Sequence, residues 1–61
     1  MKTKWCTVVV EHERLGVKLE RDVDISVNAR RRIANALKEL LSYFDEEDVT
    51  NHVKMYVITE D

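Results

Sequence analysis

The chain has 61 residues with one cysteine, one glycine and no proline, and its ten Lys and Arg against twelve Asp and Glu leave a net charge of −2. A chain this short makes a single domain, 1–61, that buries only about 60% of the surface its unfolded form exposes, so no cofactor pocket is expected within it. No apolar run approaches the roughly 20 residues of a membrane span, Cys6 alone cannot close an internal disulfide, and the charge balance speaks against a generally basic, nucleic-acid-like surface.

Along the chain, residues 4–11 carry Trp5, Val8, Val9 and Val10, apolar at both alternating sets, which predicts a first strand covered on both sides. Residues 12–16 are polar and end in Gly16, the residue that takes positive φ without strain, so they read as a hairpin loop. A second strand runs from Val17 to about Asp22, with Val17 and Leu19 facing in and Lys18 and Glu20 facing out. Asp22-Val23-Asp24-Ile25-Ser26 connects it to a helix over 27–44, where the side chain of Ser26 or Asn28 is expected to cap the first turn. On that helix Ala29, Ile33, Ala36, Leu37, Leu40 and Phe44 share one face, with Leu41 at its border. Asp45-Glu46-Glu47-Asp48 ends the helix in a solvated loop and sets acids where the helix dipole disfavours them. It lacks the alternating ligands and central glycine of a calcium loop. His52 is a loop residue before a third strand in which Val53, Met55 and Val57 alternate with Lys54, Tyr56 and Ile58.

These elements predict an α+β fold of β-β-α-β order. A right-handed crossover carries the third strand back in the direction of the second, giving a three-stranded, mostly antiparallel sheet of order 2-1-3 with the helix on one face. The first strand, with two apolar faces, then takes the centre.

The hairpin, helix and third strand resemble the first part of a β-grasp, or ubiquitin-like, domain. More narrowly, Val17-Lys18-Leu19-Glu20, then Asp24-Ile25-Ser26-Val27-Asn28 and a helix carrying Ile33 and Leu37, are similar to the YukD/EsaB family of small bacterial ubiquitin-like proteins, across roughly residues 5–58. The resemblance implies a cytosolic accessory protein of type VII secretion without catalytic residues. Two features depart from the family: its further strand is missing before Asp61, and Arg21 stands at a usually apolar position, which leaves the register of the second strand open. Without a C-terminal Gly-Gly, conjugation through the C-terminus is not expected.

Among candidate sites, Arg30, Arg31 and Arg32 lie in the first helical turn, where the dipole disfavours cations and no acid stands three or four positions away. Arg31, Asn35, Lys38 and Ser42 line the solvent side, while Arg30 and Arg32 flank the core. Either the cluster is a solvated face with Arg30 or Arg32 pairing to Asp22 or Asp24, or it docks an acidic protein surface or phosphates. Trp5 and Val9 fall on the sheet face away from the helix, where exposure would mark an interface. Cys6 reads as a small buried hydrophobe: His12, six residues along the same strand, is too far to activate it, and Cys6, His12 and His52 match no zinc spacing. No paired carboxylates, Ser-His pair or phosphate-binding glycine loop can be placed, so no catalytic, cofactor or metal residue is expected.

The function these features indicate is a non-catalytic protein-interaction module that forms a homodimer through a strand edge or the open sheet face. A small phage- or mobile-element-encoded inhibitor of a host complex, and a weak nucleic-acid binder acting through Arg30, Arg31 and Arg32, are the alternatives.

Overall fold

Hydrogen bonding on both edges of one strand organises the chain. In a computed structural model describing residues 4–59, β1 (Trp5–His12) pairs antiparallel with β2 (Val17–Asp24) on one side and with β3 (Val53–Thr59) on the other, so the sheet order is β2-β1-β3. Helix α1 (Ala29–Leu41) crosses one face, and a short α2 (Glu46–His52) leads into β3. This is the α+β architecture and strand order expected from the alternating and helical periodicities. The hairpin closes through Gly16 at φ +67°, whose N–H donates to the His12 carbonyl at 3.0 Å.

Register decides what each face buries. Val8 lies between Arg21 and Val57, Val9 between Glu20 and Tyr56, and Val10 between Leu19 and Met55. Cys6, Val8 and Val10 point to the helix and form the core with Val23, Ala36 and Leu40, joined at its margin by Leu19, Ile33, Leu37 and Phe44. Each fully buried valine is worth about 1.5–3 kcal/mol of transfer free energy. Burial pushes the Cys6 thiol up from its ordinary value, and the nearby Asp22 carboxylate adds to it.

Local structure departs from the sequence reading at the helix ends. Helix α1 is shorter than expected and starts after Asn28, which sits in the left-handed region at φ 53°, ψ 45°, with its side chain capping nothing. Ser26 does not cap either: it lies two residues before Asn28, and its amide and hydroxyl both donate to the Asp24 carboxylate, at 2.9 and 2.6 Å. Beyond Leu41 the chain tightens, with the amides of Tyr43 and Phe44 donating to the carbonyls of Leu40 and Leu41. Residues 45–48 are not the expected loop. Glu46, Glu47 and Asp48 make the first turn of α2, where the dipole favours acids, and His52 is its last residue. The same carboxylates that suit the end of α1 poorly suit the start of a new helix.

Strand β2 continues to Asp24, which brings Val23 into the core. Its register places Arg21 opposite Val8, on the helix face, and the guanidinium is satisfied there by an ion pair with Glu39 of α1. The hydrogen bond from Arg21 holds the Glu39 carboxyl below its ordinary value of 4.5, and the Arg21 guanidinium is correspondingly raised.

Cys6→Ala should keep the fold at a cost of about 1 kcal/mol, whereas Cys6→Asp, an unpaired carboxylate in the core, should abolish cooperative unfolding in a circular dichroism melt. For Glu39, a carboxyl depressed on folding stabilises above its unfolded pKa and loses that contribution as pH falls through the lower folded value. The melting advantage of the native chain over Glu39→Gln should therefore be present at neutral pH and vanish under acid, below the 4.5 of a free glutamate.

Candidate functional site

Helix α1 carries four cations off its core face, Arg31 and Lys38 on the solvent side and Arg30 and Arg32 flanking it, with Glu39 the one acid of the helix, paired to Arg21. Arg30, Arg31, Arg32 and Lys38 are all exposed, with Asn35 and Ser42 between them, and among the described residues none of the four cations has an acidic partner within 4 Å. The pairing considered for Arg30 or Arg32 with Asp22 or Asp24 is not formed. Asp22 instead accepts from the Thr7 hydroxyl at 2.9 Å, and Asp24 is taken by Ser26. The hydrogen bonds from Ser26 hold the Asp24 carboxyl low, with Arg32 adding a weaker through-space attraction. Four cations on a rigid helix thus keep their charge available to an outside group.

The opposite face of the sheet differs from expectation at one residue. Trp5 is 44% exposed, but Val9 is fully buried although no helix covers it. Its register neighbours Glu20 and Tyr56 flank it on both sides, and Lys18, ion-paired to Glu20 at 3.5 Å, extends that cover. Val9 is therefore not an accessible contact, and Trp5 alone of the two can meet a partner on this face.

A feature the sequence did not reveal lies under α2. His12, assigned to the polar loop, ends β1 on the helix face and is 3% exposed. Its Nδ1 accepts from the Leu15 amide at 3.2 Å, which puts the proton of the neutral ring on Nε2. Nε2 faces the Asp48 carboxylate at 3.3 Å, within ion-pair range but not aligned as a hydrogen bond. The ring also stacks obliquely on Phe44 at 5.3 Å and near His52 at 6.0 Å. These contacts fix α2 on the sheet. The strand alternation, which puts residue 12 on the same side as Cys6, Val8 and Val10, was the available signal. Among the described residues no three His, Cys, Asp or Glu side chains converge as metal ligands.

Between the end of α1 and α2 lies a shallow groove of about 980 Å³, floored by Leu41, Phe44 and Val49 and rimmed by Lys38, Glu46 and Glu47. Beside it, Met55 and Val57 of β3 point to the helix side of the sheet yet remain 42% and 38% exposed. A helix about 10–12 Å across spans two strands spaced about 4.8 Å apart, and α1 packs on β1 and β2, so of the inner row of β3 only Val53 reaches the core while Met55 and Val57 stay exposed. No helix among the described residues is long and apolar enough to cross a membrane. Comparison with family models, curated proteins and solved structures finds no match to this chain.

Replacing His12 tests its role as the anchor of α2. His12→Ala should cost about 2–4 kcal/mol, as for other buried side chains cut back to alanine, and hydrogen exchange should show the α2 amides losing protection before those of β1.

Proposed function

We propose that this chain is a non-catalytic protein-interaction module that docks an acidic protein surface through the outer face of α1. The observation that carries this reading is the set of exposed cations without an acidic partner among the described residues, Arg30, Arg31, Arg32 and Lys38, on an element whose other face is anchored in the core. Cations at a helix N-terminus work against the helix dipole, so they serve association rather than folding. The β2-β1-β3 sheet under one helix supports the likeness to the first part of a β-grasp domain. On that likeness the module is a YukD/EsaB-like accessory or regulatory component of bacterial type VII secretion, working in the cytoplasm. The same reading includes self-association through a strand edge or the open sheet face, with Trp5 as the exposed contact on that face.

Arg31→Glu combined with Lys38→Glu separates docking from stability. The double variant should melt within about 0.5 kcal/mol of the native chain, as for most surface substitutions, while recovery of its acidic partner from the native host falls at least tenfold in a pull-down. Unchanged recovery would show that these cations are merely solvated. Retention of the native chain on duplex DNA, falling steeply with salt, would indicate a polyanion in place of a protein.

A further inference from the structure

The two free edges of the sheet are built differently, and the hydrogen-bond phase shows how. The Glu13 amide donates to the His52 carbonyl at 2.9 Å, so on β3 the backbone groups of His52 and of every second residue after it turn toward β1. Val53, Met55, Val57 and Thr59 therefore direct their N–H and C=O groups outward, where no strand among the described residues receives them. By the same alternation, the bond from the Ile25 amide to the Lys4 carbonyl places Lys18, Glu20, Asp22 and Asp24 outward on the β2 edge.

All four residues that present the β2 edge are charged. Charged side chains blunt an edge against pairing, and Glu20, Asp22 and Asp24 would face further charge in a second copy of themselves. None of the four presenting the β3 edge is charged. Lys54 is the single charge within β3, and Met55, Val57 and Ile58 leave 42%, 38% and 48% of their surface exposed. One edge is protected and the other is left open.

We infer that β3 is a self-pairing edge, joining a second copy of this chain antiparallel about a two-fold axis at Tyr56 to make a continuous six-stranded sheet. This deepens the self-association included in the proposed function, and rests on it, by choosing the edge over the open face and by fixing the register. The register follows from the sequence of the strand. With Tyr56 on the axis, Val53 pairs with the second copy's Thr59 and Met55 with its Val57, so each outward residue meets an outward residue and the full length of β3 is used. Met55 and Val57 cover one another on the helix side. On the other side Lys54 lies opposite the second copy's Ile58 and diagonal to its Tyr56, whose ring face attracts a cation. The two Lys54 residues are then offset by four positions, about 14 Å along the strand, beyond the range at which screened surface charges repel. A two-fold axis moved to residue 54 would set them directly opposite.

Cysteine cross-linking reads this register. Residues facing across the axis in a non-hydrogen-bonded pair have Cα atoms about 4.5 Å apart, within the reach of a disulfide. Tyr56→Cys should therefore oxidise to a covalent dimer, while Ile58→Cys, some 14 Å from its own copy, should not. The native chain, whose Cys6 is buried, is the control. Sedimentation at high micromolar concentration should show a dimer for the native chain and a monomer for Val57→Lys, which places a charge on the edge with little effect on the core. A native dimer in which Tyr56→Cys fails to cross-link, or Ile58→Cys succeeds, would overturn the β3 register while leaving self-association intact. A native chain that is monomeric throughout would overturn both, and docking through α1 would still be judged by its own variants.

Discussion

Val8, Val9 and Val10 are consecutive in a strand and all fully buried, a condition met only when both faces of that strand are covered and both its edges are paired. This requirement on β1 organises the domain. Val8 and Val10 call for α1 on one face, and Val9 calls for side chains long enough to close the other without a second helix. Glu20 and Tyr56 meet that demand from the two neighbouring strands, so the register of both ladders is tied to one residue. A one-residue slip in either ladder would turn the inward set of that strand to solvent, which the small core could not tolerate.

From the same requirement comes the uneven cover of the helix side. One helix can lie over two strands, and α1 lies over β1 and β2, where Leu19 and Val23 complete the core and Arg21 reaches out to Glu39. Strand β3 is paired, but beyond Val53 its inner residues Met55 and Val57 stay exposed. On the helix side β2, by contrast, gives the core Val23 and a half-buried Leu19, and the edges differ in charge: ionic side chains fill the β2 edge, while β3 carries a single lysine.

Helix α2 shows how a small fold deals with a buried polar group. His12 is inside because the alternation of β1 puts it there; its Nδ1 accepts from the Leu15 amide, while Nε2 lies 3.3 Å from the Asp48 carboxylate without the alignment of a hydrogen bond. Asp48 is delivered by α2, whose acidic first turn is favoured by the helix dipole. Burial of the imidazole, closure of the hairpin and placement of α2 are thus one arrangement, and it leaves Phe44 packed at the base of the neighbouring groove.

The strand order, the antiparallel pairing, the core face of α1 and the burial of Cys6 were all legible in the residue pattern, because periods of 2 and 3.6 are local properties and the two-sided apolar pattern of β1 leaves it one place in the sheet. That the cations of α1 lack an acid one turn away was legible too, as a matter of spacing; that Arg30 and Arg32 do not pair with Asp22 or Asp24 was decided by Thr7 and Ser26, which take those carboxylates. Tertiary structure decided the rest. Val9 was expected at an open surface and is buried, because its cover comes from residues far away in sequence that register alone brings beside it. His12 passed for a loop residue until Asp48 and Phe44 were placed around it. Residues 45–48 passed for a helix end until the chain began a second helix there, and the exposure of Met55 and Val57 depended on the width of α1 against the width of the sheet. Alternation along a strand tells which side a residue faces; whether that side is covered depends on the size and position of elements that the local pattern does not encode.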